Sequence, residues 1–150
     1  MGKMIGYMVT WTTYGTWLQG DRRGYVKDGI VLKENLGLRE ANKRELKHKA
    51  VRLGKRERVI VKNAITKSVL KREQCVYAIT VCSNHVHVVV SYTERDIGRC
   101  VRDYKNASVF ALRRNGFVGR VWTSGYDKRY CFDEASLQAK VVYVNRHRNG

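Results

Sequence analysis

Cys82-Ser83-Asn84-His85-Val86-His87-Val88-Val89-Val90 is the stretch on which the fold turns. Ser83-Asn84 suits a tight turn, and the β-branched run after it suits a strand. Upstream, Val76, Ala78, Thr80 and Cys82 alternate with Tyr77, Ile79 and Val81 over Cys75 to Cys82. The two runs predict a hairpin, with His85 to Tyr92 as its second strand. Side chains alternate across a strand, so His85 and His87 share one face while Val86 and Val88 share the other. Their Cα atoms stand about 7 Å apart, close enough for two imidazoles to converge on one divalent ion. Alone, the pattern equally describes two polar residues on the wet side of a half-buried strand.

The bulk composition narrows the class. A chain of 150 residues, 43% hydrophobic and 10% aromatic, fits one folded domain spanning 1–150. Thirty Lys and Arg against thirteen Asp and Glu leave a net charge of +17. Such an excess repels itself, and a polyanion is its natural partner. The basic residues are spread from Arg22 to Arg148 rather than gathered on one amphipathic helix, which favours nucleic acid over a membrane surface. No signal-like h-region and no apolar run of about 20 residues is present, which points to a cytoplasmic, nucleoid-associated protein. Cys75, Cys82, Cys100 and Cys131 form no C-x-x-C pair and read as reduced, packed thiols.

Working outward, Met4 to Thr13 alternates as a first strand. The glycine-rich segment after it carries Trp17, Arg22 and Arg23, able to stack a base and hold phosphates, or else to plug the core edge. Residues 28–58 are strongly basic with weak helical spacing, a mobile insertion or a solvated helix that touches nucleic acid. Val59 to Leu70 predicts a helix buried through Val61, Ala64, Ile65, Ser68 and Val69. Thr93 is a candidate N-cap for a second helix, which buries Ile97, Val101, Tyr104 and Ser108 and shows Arg99, Arg102 and Lys105 outward. Asn115-Gly116 closes it. Gly119 to Tyr130 interleaves Trp122, Tyr126 and Tyr130 with Arg120, Lys128 and Arg129, which suits single-stranded nucleic acid or an ordinary last strand. Asp133 then caps a final helix with Leu137, Val141 and Val144 as its buried stripe.

In that final helix Tyr143 and His147 stand four residues apart, and so are neighbours. If it packs under the hairpin, His147 completes a three-imidazole site with His85 and His87. Three protein ligands with open positions mark a catalytic rather than a structural metal. Tyr143 would stand beside that ion. A phenol is a poor nucleophile at its pKa of about 10, and a phosphodiester repels attack. A divalent cation offsets that charge by polarising a phosphate oxygen. Tyr143 could then attack in line, forming a 5′-phosphotyrosine and releasing a 3′-hydroxyl. The link keeps the bond energy, so the strand can be rejoined to another end.

His85-Val86-His87 resembles the signature of the HUH single-strand nucleases. The strand–helix–hairpin–helix order and the late Tyr143 resemble single-tyrosine transposases of the insertion-sequence and REP-associated types. The blocks Thr13-Tyr14-Gly15-Thr16-Trp17-Leu18-Gln19-Gly20-Asp21-Arg22-Arg23-Gly24 and Ser83 to Val90 are similar to blocks of that family. The resemblance implies an α+β ferredoxin-like sandwich, a central antiparallel sheet with helices on one face. It implies a homodimer acting on single-stranded DNA with hairpin structure, and Mg²⁺ or Mn²⁺ as cofactor. It also implies a metal ligand four positions after the tyrosine, where His147 stands. Many relatives instead follow the tyrosine with Ile, two residues and Asn-Pro. Alignment on Asn145 would put Val141 at the nucleophile position. Tyr143 is preferred because it alone pairs with a histidine four residues on, and Tyr130 is the alternative. Two rival readings stand beside the transposase: a non-catalytic DNA- or RNA-binding relative, and a metal nuclease that hydrolyses without a covalent step.

Overall fold

In the computed structural model the described residues are 3–16 and 50–147. The expectations for Trp17, Arg22 and Arg23, and for 28–49 of the basic segment, fall outside them. The chain runs β1 (Gly6–Thr12), α1 (Lys55–Lys71), β2 (Val76–Val81), β3 (His85–Ser91), α2 (Ile97–Arg114), β4 (Asp127–Cys131) and α3 (Glu134–Arg146). The strands lie in the order β2-β3-β1-β4, each antiparallel to its neighbour. Alternation in β1 divides the core. Tyr7, Val9 and Trp11 point to one face with Val86, Val88 and Val90 of β3, where they meet α1 and α2 through Val61, Ile65, Val69, Val101, Tyr104 and Leu112. Met8, Ala78 and Val89 point to the other face and meet Leu137 and Val144 of α3.

The first six elements therefore form the β-α-β-β-α-β unit of a ferredoxin-like sandwich, with α1 and α2 on one face as expected. The third helix corrects the expectation in one respect, since α3 is added on the opposite face. Its approach explains a glycine inside β1. A Cβ on Gly6 would stand 2.9 Å from the Val90 carbonyl oxygen and 3.0 Å from Leu137 Cδ1, so a side chain there would lift the helix.

Local chemistry sets the element ends, and it moves several of the expected ones. Asp96, not Thr93, caps α2 by accepting from the Arg99 N–H at 3.2 Å. Gly116, at φ +89°, follows the Asn115 C-cap. Asp133 caps α3 as expected, accepting from the Ser136 N–H at 2.7 Å. The first helix starts at Lys55, four residues before the expected start at Val59. Glu57 there reaches back to the Gly54 N–H at 3.4 Å. The last strand is only Asp127–Cys131. Trp122, ahead of it, is buried edge-on against Trp11 with its indole N–H bonded to Ser108 Oγ. All four cysteines are free, and three are buried; Cys75 is exposed, against the expectation that it packs.

Candidate active site

The face covered by α3 carries the polar residues of interest, because strand register lines them up. Asp127, Thr10, His87 and Thr80 are successive neighbours across β4, β1, β3 and β2. One step along, Thr12 stands opposite His85. On the far side of His85 the two-residue turn Ser83-Asn84 brings Cys82, whose N–H donates to the His85 carbonyl at 2.8 Å. Thr80 Oγ1 donates to the Val144 carbonyl at 2.8 Å and fixes the last turn of α3 over this row.

That placement delivers His147. It is the C-cap of α3, with its N–H donating to the carbonyls of Tyr143 and Val144. His85 Nε2 and His147 Nε2 lie 2.7 Å apart. The ring centre of His87 is 4.9 Å from that of His85 and 4.4 Å from that of His147. The Tyr143 ring is 5.5 Å from His87 and 5.7 Å from His147, centre to centre. The four residues that the sequence singled out, 62 positions apart at their extremes, thus meet in one cluster. Tyr143 keeps 49% of its surface exposed. With Arg146 and His147 it lines a depression of about 430 Å³ on the outside of α3. Tyr130 lies elsewhere. It packs edge-on against Tyr7, whose side chain belongs to the α1/α2 face.

Two of the imidazoles, those of His85 and His87, are held and kept neutral. Asn84 Oδ1 accepts from His85 Nδ1–H at 2.7 Å, which leaves His85 Nε2 as a bare lone pair facing His147. Thr10 Oγ1 pairs with His87 Nδ1 at 2.8 Å, which leaves Nε2 as the nitrogen open to a metal. Burial, then the neighbouring His85 and His147, push His87 down to about 3. Burial and His147 lower His85 as well. Both rings are therefore uncharged near neutrality, the state in which imidazole binds metal. One donor atom each from Cys82, His85 and His147 also lie within 4.8 Å of one another. Burial raises the Cys82 thiol, and Arg58 opposes that rise.

Sequence reasoning missed four participants. Cys82 read as a packed thiol, although a two-residue hairpin turn would have set it opposite His85. Asn84 read only as a turn residue. Thr10 needed the β1–β3 register, which nothing local reveals. Arg146 is three residues beyond Tyr143 and was lost among thirty basic residues.

The residues expected to meet nucleic acid are dispersed. Arg99 and Arg102 are exposed on α2, so the sheet stands between them and the histidines. Lys105 is turned inward. Its ammonium donates to the carbonyls of Thr123 at 3.0 Å and Gly125 at 2.7 Å, and so ties down the segment before β4. Burial lowers its pKa. Lys128 stands opposite Val9 and Arg129 opposite Met8, so of these two only Arg129 shares the histidine face. Arg129 bonds Asp127 at 3.2 Å.

Comparison with known proteins places this cluster in a family. The model described as IS200-like transposase matches residues 44–147, more than half of the chain, including every histidine above and Tyr143. The chain belongs to the IS200-like transposase family. Among solved structures, this transposase resembles a REP-associated tyrosine transposase bound to a REP hairpin. That match has a TM-score of 0.54 and 12% identity over 96% of this chain and 67% of the other. It also resembles a provisionally assigned transposase from Deinococcus radiodurans R1, with a TM-score of 0.51 and 16% identity over 98% and 94% of the two chains. At these identities the likeness is one of fold. No curated protein gives a significant match. Among the described residues no helix is long and apolar enough to cross a membrane.

Proposed function

We propose that this transposase cleaves and rejoins single-stranded DNA through a 5′-phosphotyrosine on Tyr143. The observation that carries the reading is the convergence of Tyr143 with His85, His87 and His147 on one face of the sheet. The donor set fits a divalent cation. Three imidazoles converge, and two of them have their second nitrogen held by Asn84 and Thr10. Nitrogen donors favour Mn²⁺ over Mg²⁺, which prefers an all-oxygen shell. A cation held by His85, His87 and His147 would polarise a non-bridging phosphate oxygen and offset the charge that repels the nucleophile.

The chain's own residues supply the rest. Tyr143 Oη, on a half-exposed ring, is within reach of a strand laid along α3. Its attack forms the Oη–P bond and breaks the bond to the 3′-oxygen, which leaves as a hydroxyl once protonated. The phenolic proton passes to solvent in the same step, and solvent supplies the proton taken up by the 3′-oxygen. Arg146, in the same depression, is placed to pair with a flanking phosphate. In this reading Tyr143 acts beside the histidines of its own chain. The homodimer implied by resemblance is then a matter of strand exchange, tested by light scattering. A DNA hairpin is the proposed substrate, the cytoplasm and its nucleoid the proposed location, and 1–150 one proposed catalytic domain.

The decisive experiment mixes the protein with 3′-end-labelled single-stranded hairpin DNA and Mn²⁺. A labelled protein adduct is expected, absent in Tyr143→Phe. His85→Ala should lose cleavage while keeping most DNA affinity, since phosphate contacts by Lys and Arg dominate binding. Cleavage without an adduct would make the protein a hydrolytic nuclease. Tight binding with no cleavage would make it a non-catalytic binder.

A further inference from the structure

We infer that Cys82 is a fourth ligand of the metal centre, and that through it the centre closes around a thiophilic ion of the Zn²⁺ or Co²⁺ class. The inference rests on reading the histidine cluster as a metal site. Its own basis is the hairpin geometry. Cys82 stands directly opposite His85 across a two-residue turn, with its N–H on the His85 carbonyl. Paired residues of antiparallel strands share a face. Thr80, two positions earlier on the same strand, is on that face too, because it bonds α3.

The surroundings of the thiol separate it from an ordinary core cysteine. Cys100 and Cys131 are buried members of the two apolar clusters. Cys82 is just as buried, at 1% exposure, yet belongs to neither. Its companions are imidazoles, with one donor atom from each of Cys82, His85 and His147 within 4.8 Å of the others. Donors around a tetrahedral zinc stand roughly 3.3–3.8 Å apart, so drawing these three donors onto one ion needs a movement on the order of 1 Å.

The chemistry of the two donor sets differs. His85, His87 and His147 leave a coordination position for phosphate. Adding Cys82 completes four ligands, the closed shell of structural sites. Thiolate selects soft or borderline ions and does nothing for Mg²⁺. On binding, the Cys82 thiol releases its proton to solvent and the sulphur takes the metal in its place. Zn²⁺ would therefore hold the centre shut where Mn²⁺ leaves it open, and it would inhibit cleavage.

The test is a Co²⁺ titration of the full chain, followed optically. Wild type should show ligand-field bands together with a sulphur-to-cobalt charge-transfer band in the near ultraviolet. Cys82→Ser should keep the former and lose the latter, while exposed Cys75→Ser keeps both. Ligand-field bands without charge transfer in wild type overturn the role of Cys82 and leave the histidine centre standing. No bound cobalt at all overturns both. Should Cys82→Ser fail to fold, X-ray absorption on the Zn²⁺-loaded wild type decides the matter. One sulphur at about 2.3 Å is expected, and a shell of nitrogen and oxygen alone refutes the inference.

Discussion

Thr10 shows how the proposed metal centre would depend on residues that bear no ligand atom. It is buried, and its hydroxyl pairs with His87 Nδ1 at 2.8 Å. Thr10→Val keeps the shape and deletes the bond, so His87 loses both its orientation and a partner for a buried nitrogen. Removal of such an outer partner typically lowers metal affinity by about 10–100-fold. Calorimetric titration with Mn²⁺ should show a loss of that order, restored by Thr10→Ser; unchanged affinity in Thr10→Val would mean that the hydroxyl does not orient the ring. The two kinds of residue were unequally legible. His85, His87, Tyr143 and His147 could be read from the chain because their spacings are those of a strand and a helix. Thr10 could not be recognised as a participant, because its role arises only when β1 lies beside β3 in a particular register; Cys82 and Asn84 were within reach of the predicted hairpin but read only as a packed thiol and a turn residue.

At the scale of elements, α3 alone brings His147 and Tyr143 to the sheet. It is a short helix whose buried residues are Leu137 and Val144. Its attachment rests on these, on partly buried Val141 and on the Thr80 hydrogen bond. Leu137→Ala should cost about 2–3 kcal/mol, the lower part of the range for such truncations because the site lies at the margin of the core. Urea denaturation checks it, and a change below about 0.5 kcal/mol would show that the helix is held by other means. The helices were legible wherever an apolar stripe ran three or more turns, as in α2. The face that α3 would choose was not, because its stripe is equally compatible with either side of a sheet. The choice follows from the bare backbone at Gly6 and from Thr80, neither of which signals anything locally. The last strand was overextended towards Trp122 for a similar reason. Aromatic and basic residues interleave both on nucleic-acid surfaces and at core edges, and burial against Trp11 decides between them.

Over the whole molecule the net charge of the chain is +17, and among the described residues the basic side chains are not confined to the histidine face. Arg99 and Arg102 lie on exposed α2, with the sheet between them and the cluster. If a folded DNA wraps from the site to this side, removing both arginines weakens binding without touching the chemistry. Arg99→Gln with Arg102→Gln should lower hairpin affinity and reduce the slope of log affinity against log salt by about 1–2. The cleavage rate at saturating DNA should be unchanged. A drop in that rate would mean that the far side takes part in positioning the scissile phosphate. Composition announced a polyanion partner but not its path, since net charge carries no direction.

The order β2-β3-β1-β4 puts β3 inside the sheet, clamped along both edges by backbone hydrogen bonds. Two of the imidazoles therefore sit on a rigid anvil. The third hangs from the first residue beyond a helix, tied to the sheet by its contact with His85 and, one turn back, by the Thr80 hydrogen bond to Val144. In the metal site proposed above, cations of different radius would be accommodated mainly by the swing of that one arm.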